Sequence, residues 1–233
     1  MNGKIFDQRL VKNQKMAILL KKQLDEELVL GIWEMQENLD EIRNILEISE
    51  QTEQSDYKEA LMQADEFGSD KRRLEWLSTR ALVNSLMAEK TIIYYNEFGK
   101  PFLKDSEKVI SISHSNDLIA VIIGKHKKVG IDVEKMSNKI GKVAYKFLHT
   151  IELQNIDTEN IFQLYLHWSA KEALFKVYGK KDLYFNKNLI VDQFKFTNPG
   201  ILSGLIMKDE MKESFVLNYF TIKEDYLVVW CSK

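Results

Sequence analysis

Lys128-Val129-Gly130-Ile131-Asp132-Val133-Glu134 has the two-residue period of an extended strand, with Ile131 and Val133 on one face and Asp132 and Glu134 on the other. Two carboxylates on one strand face repel unless water screens them or a cation sits between them. About thirty-five residues on, Trp168-Ser169-Ala170-Lys171-Glu172-Ala173-Leu174-Phe175-Lys176 is rich in good helix formers. Trp168, Glu172 and Lys176 recur every four residues, so they share a helix face. That face adds a third carboxylate and a cation to the strand pair, a set suited to a hard metal ion and a phosphate. Each piece also has a plainer reading: solvated acids at a strand end, and an ordinary intrahelical pair between Glu172 and Lys176.

Working outward, the same order of elements occurs earlier in the chain. Val29-Leu30-Gly31-Ile32-Trp33-Glu34 resembles the strand at 128–134. Glu75 to Val83 matches His167 to Phe175 without a gap, and Asp117 to Ile122 matches Asp225 to Trp230. The offsets differ by loop-sized insertions while the order holds. This predicts an α+β fold made of two similar lobes about a pseudo-twofold axis, residues 27–125 and 126–233, preceded by an N-terminal arm or short helix over 1–26. The copies diverge where the first carries Trp33 and Arg80 and the second carries Asp132 and Glu172. A cleft between such lobes is a natural ligand site.

Within the first lobe the pattern predicts a strand over 27–34 and helices over 38–46, 57–67 and 72–87. It places strands at 91–95, 108–113 and 118–123, with Asn38 and Asp70 as helix caps and a loop over 49–55. Asn96-Glu97-Phe98-Gly99-Lys100-Pro101-Phe102 is a turn that presents Lys100. Ser111-Ile112-Ser113-His114-Ser115 gathers hydroxyls and an imidazole of the kind that hold phosphate. A hydrolytic Ser-His arrangement is disfavoured, because strand neighbours point to opposite faces and no third partner is evident.

Composition limits the function classes. The 233 residues are 45% hydrophobic and 29% charged, with a net charge of −2, which disfavours binding to nucleic acid through bulk positive charge. The single cysteine, Cys231, lies in an apolar run, so an internal disulfide is excluded and a reducing cytoplasm fits. The four histidines lack zinc-site spacing, and no stretch approaches the roughly 20 apolar residues of a membrane span.

Gly99-Lys100-Pro101, Ser113-His114-Ser115, Gly130 to Glu134 and Trp168-x-x-Lys171-Glu172-Ala173-x-x-Lys176, in that order, resemble the 4′-phosphopantetheinyl transferases, in particular the two-lobed surfactin-synthetase-activator class. The resemblance implies the fold of that family and transfer of 4′-phosphopantetheine from coenzyme A to a serine of an apo acyl or peptidyl carrier protein. It further implies release of 3′,5′-ADP, with Asp132, Glu134 and Glu172 holding Mg²⁺ on the pyrophosphate. By matching positions, Glu172, Lys176 and Glu134 would be catalytic. Lys100, Pro101, Ser113, His114 and Lys171 would lie along coenzyme A, joined by a basic residue early in the first lobe for which Lys58, Lys71, Arg72 and Arg73 are the candidates. Glu172, Glu134 or a metal-bound water could take the serine proton. A cytoplasmic monomer in which two fused lobes complete one cleft fits this class. A carrier-binding module without turnover and a metal-dependent phosphohydrolase are the competing functions.

Overall fold

The computed structural model describes residues 17–46, 55–125 and 127–233. It is an α+β protein. The strands are β1 Ile18–Asp25, β2 Leu28–Glu34, β3 Ile93–Tyr95, β4 Pro101–Leu103, β5 Lys108–Ser115, β6 Leu118–Lys125, β7 Val129–Lys135, β8 Leu189–Val191, β9 Gly200–Lys208, β10 Met211–Ile222 and β11 Tyr226–Ser232. The α-helices are α1 Leu39–Ile45, α2 Ser55–Met62, α3 Asp70–Met87, α4 Ala144–Phe147, α5 Thr150–Leu153, α6 Ile161–Tyr178 and α7 Phe185–Asn188.

Local chemistry accounts for the helix ends. Asn38 caps α1 by accepting from the Glu41 amide, while the Glu41 carboxylate accepts from the Asn38 amide, a reciprocal capping box. Ser69, one residue before the expected Asp70, caps α3. Asn160 caps α6, which ends at Gly179 with φ +74°, a left-handed conformation that glycine adopts without strain. The helix read from 57 onward is α2 followed by a 3₁₀ turn over Gln63–Glu66.

One antiparallel sheet has the order β1-β2-β6-β5 and a second the order β7-β11-β10-β9-β8, while β3 and β4 form a separate hairpin. The pairing β2–β6–β5 recurs as β7–β11–β10. In each case a long helix, α3 or α6, packs on one face of the sheet. Gly31 and Gly130 make that close approach possible. A Cβ at Gly130 would stand 2.1 Å from the Ala173 carbonyl oxygen, and one at Gly31 would stand 2.8 Å from Leu82.

The opposite sheet faces meet each other. Leu28, Leu30, Ile32, Leu118, Ala120 and Ile122 pack against Val129, Ile131, Val133, Tyr226, Val228 and Trp230. Each aliphatic side chain sealed there is worth about 1.5–3 kcal/mol of transfer free energy. The alternation in β7 therefore has two outcomes: Ile131 and Val133 close the seam between sheets, and Gly130, Asp132 and Glu134 turn toward α6.

The arm or helix expected over 1–26 is replaced, where described, by strand β1, which pairs antiparallel with β2. As an edge strand exposed along much of its length, it lacks the clean apolar alternation that marks a buried one. The remainder of that arm (1–16) and most of the expected loop at 49–55 lie outside the described residues.

Candidate active site

β7 and α6 bring Asp132, Glu134, Glu172 and Lys176 together. Asp132 is only 3% exposed. Its Oδ1 accepts from Lys176 Nζ at 2.8 Å and from Ser113 Oγ at 2.9 Å, while Oδ2 is buried without a hydrogen-bond partner. Lys176 also donates to the Ile131 carbonyl at 2.9 Å, which ties the last turn of α6 to β7. Both oxygens of Glu134 are engaged: Trp168 Nε1 donates to Oε1 at 2.9 Å and Ser115 Oγ to Oε2 at 3.1 Å. Trp168 is itself held between Phe147, edge-on at 5.4 Å, and Phe185 at 5.5 Å.

The electrostatics follow from this crowding. Burial, and then the charge of Asp132, push the Glu172 carboxyl up to about 7, against the opposing pull of Lys176. Glu134 is raised for the same two reasons, burial first. Trp168 and Ser115, by bonding its charged form, limit that rise. The site thus holds one acid poised to exchange a proton near neutrality, beside a buried carboxylate with a spare lone-pair oxygen.

Hard carboxylate oxygens, the unpartnered Oδ2 of Asp132 and the raised Glu172 fit a hard divalent cation. Among the described residues, however, no three His, Cys, Asp or Glu side chains are gathered in ligating geometry. Lys176 and Ser113 take up Asp132 Oδ1, and Trp168 and Ser115 take up the two oxygens of Glu134.

The remaining predicted residues divide. Lys171 does not join the site. It is fully buried and donates to Glu152 Oε2 at 2.6 Å and to the carbonyls of Phe147 and Phe185. Glu152 also accepts from the amides of His149 and Val191, so the pair clamps α5 and β8 to α6. The reason is geometric: successive helix residues differ by about 100° in direction, so Lys171 faces away from the side that carries Glu172 and Lys176. Lys100 does reach α6. Its Nζ donates to the Val177 carbonyl at 3.3 Å and its stem lies against Gly179. Burial, and then the charge of Lys128, lower its pKa. The turn that presents it is closed by Asn96, whose side chain accepts from the amides of Phe98 and Lys100, and by Gly99 at φ +79°. Pro101 opens β4 opposite Tyr95.

Ser113, expected at the nucleotide, has its hydroxyl on Asp132, and His114 is exposed on the other side of β5. Arg73 is engaged at the start of α3, by Asp70 at 3.1 Å and the Phe67 carbonyl at 3.0 Å, and is not brought to the acids. Arg80 is 2% exposed, with its guanidinium 3.3 Å from the Trp76 ring centroid. Nε and one terminal nitrogen lack hydrogen-bond partners, and burial holds its pKa down at about 10. Its place in the middle of α3, at the position that matches Glu172 in the second half, was the sequence signal for it.

The half of the chain that supplies the carboxylates and lysine of β7 and α6 is similar to a known family. The family model described as the 4′-phosphopantetheinyl transferase superfamily matches residues 128–231, the stretch that supplies both elements. The 4′-phosphopantetheinyl transferase gsp of Aneurinibacillus migulanus is 35% identical over 99 residues, 40% of this chain and 40% of the relative. The 4′-phosphopantetheinyl transferase AcpT of Escherichia coli K12 is 27% identical over 115 residues, 46% of this chain and 59% of the relative. The chain thus matches about half the length of these curated relatives. Across that stretch the comparisons bear out the resemblance to the 4′-phosphopantetheinyl transferases.

Proposed function

We propose that the protein transfers the 4′-phosphopantetheine moiety of coenzyme A to a serine hydroxyl of an apo acyl or peptidyl carrier protein, with Mg²⁺, releasing 3′,5′-ADP. The observation that carries this reading is the facing of Asp132 and Glu134 on β7 with Glu172 and Lys176 on α6, inside the stretch that matches the family. Asp132, Glu134 and Glu172 would hold Mg²⁺, which would neutralise charge on the pyrophosphate when bound. The serine oxygen of the carrier forms a bond to the pantetheine-bearing phosphorus as the bond from that phosphorus to the bridging oxygen breaks. The electron pair leaves with 3′,5′-ADP, and the serine proton passes to a carboxylate of the site, Glu172 or Glu134.

Lys176 supplies a cation at the acid cluster and Lys100 another at the same C-terminal end of α6, beside Val177 and Gly179. Arg80, with two unsatisfied guanidinium nitrogens beside Trp76, is a further phosphate-binding candidate in the first half of the chain. Residues 27–125 and 126–233 would act as two lobes that complete one cleft, consistent with a monomer. No helix among the described residues is long and apolar enough to cross a membrane.

The test is to incubate the protein with coenzyme A, Mg²⁺ and an apo carrier, then weigh the carrier. A gain of one phosphopantetheine, lost in Asp132→Ala, supports transfer. An unchanged carrier with intact coenzyme A would indicate a binding module, and coenzyme A consumed without the carrier would indicate hydrolysis.

A further inference from the structure

Strands β5 and β7 are the facing edges of two sheets, yet they are not hydrogen-bonded to each other as a backbone ladder. Three serines bridge them instead. Ser111, Ser113 and Ser115 stand two residues apart, so all three project toward β7 while Ile110, Ile112 and His114 point the other way. Ser111 Oγ accepts from the Ile131 amide at 3.1 Å. Ser113 Oγ donates to Asp132 Oδ1 at 2.9 Å. Ser115 Oγ accepts from the Lys135 amide at 3.1 Å and donates to Glu134 Oε2 at 3.1 Å. Ser111 and Ser113 are buried, and the contact between Ser113 and Asp132 is closed to solvent.

The register of β5 against β6 fixes the backbone from which these side chains project, and their hydrogen bonds to β7 fix the hydroxyls. A hydroxyl so held can keep one carboxylate oxygen in place while leaving the other oxygen for a cation. Ser113 does this at Asp132, whose Oδ2 is free of partners. At Glu134, Ser115 fixes Oε2 while Trp168 holds Oε1, so that carboxylate is oriented at both oxygens. Both acids belong to the second half of the chain and both hydroxyls to the first.

We infer that Ser113 and Ser115 are positioning residues that orient the Asp132 and Glu134 carboxylates for a divalent cation, so that the first half of the chain sets cation affinity in the second. This rests on the reading of Asp132, Glu134 and Glu172 as cation ligands and adds to it the part played by β5. Ser111 belongs to the same seam but bonds only to backbone, which makes it an internal control. A role confined to holding the strands together would treat all three serines alike.

The experiment is calorimetric titration of the full chain with Mn²⁺ alone, for the wild type and for Ser111→Ala, Ser113→Ala, Ser115→Ala and Ser115→Thr, each verified as folded by its thermal transition. Removing a hydrogen bond that orients a ligand typically weakens metal binding roughly tenfold or more. That loss is expected for Ser113→Ala and Ser115→Ala. Ser111→Ala should bind as the wild type, and Ser115→Thr should recover most of the affinity by keeping the hydroxyl. Wild-type affinity in both Ser113→Ala and Ser115→Ala, or an equal loss in Ser111→Ala, overturns the inference while leaving the cation site standing. A wild-type chain that takes up no Mn²⁺ overturns the cation site itself, and the inference with it.

Discussion

Replacing Glu172 by glutamine isolates the electrostatic cost of the acid cluster. In the folded protein its carboxyl is pushed up to about 7 from an ordinary 4.5. A group raised in this way contributes stability that is present in full below about pH 4.5 and is lost as pH rises through about 7. At about 1.4 kcal/mol per pH unit, the gap between 4.5 and about 7 places an upper limit of about 3.5 kcal/mol on that loss. Glutamine removes the charge but leaves a half-buried amide without partners, which costs about 1–2 kcal/mol. The net expectation is that Glu172→Gln is more stable than wild type at pH 8, by up to about 2 kcal/mol. At pH 5, where Glu172 is already neutral, it should be equally stable or slightly less so.

Thermal or urea unfolding at the two pH values, in chelator, measures this. For a chain of this length each kcal/mol moves Tm by about 2–4 °C, so the crossover is readily seen. Adding Mg²⁺ at pH 8 should close or reverse the gap, because a ligand bound by the folded wild type stabilises it by mass action. A difference between the two proteins that is the same at pH 5 and pH 8 would refute the claim that Glu172 sits under charge repulsion in a poorly solvated site.

Two further outcomes follow from the packing around α6. Lys171→Met should cost about 3–5 kcal/mol in urea unfolding, because Glu152 is left as a buried charge without its partner; adding Glu152→Gln should recover much of that, and a single variant within about 1 kcal/mol of wild type would remove the clamp from the account. Lys100→Ala should raise the coenzyme A KM roughly tenfold or more with little change in kcat, since one charge-assisted contact is lost without touching the acids; steady-state kinetics at saturating carrier decides, and an unchanged KM takes Lys100 out of the site.

What could be read from the chain alone was what depends on near neighbours. The strand period of 128–134, the helix around Trp168 to Lys176 and the capping box at Asn38 and Glu41 are local patterns, since side chains two, three or four residues apart meet whatever the rest of the fold does. The order shared by the two halves was legible for the same reason. Edge strand β1 was not, because it is exposed along much of its length and its apolar residues do not alternate cleanly. Lys171 and Lys176 are both plausible phosphate ligands in one dimension. Only the way α6 lies on β7 turns Lys176 toward Asp132 and seals Lys171 against Glu152. Ser113 and His114 are likewise adjacent in sequence and opposite in space. Which one meets an acid depends on β5 lying edge to edge with β7, a long-range arrangement that the close packing of the two sheets enforces and no short stretch of sequence encodes.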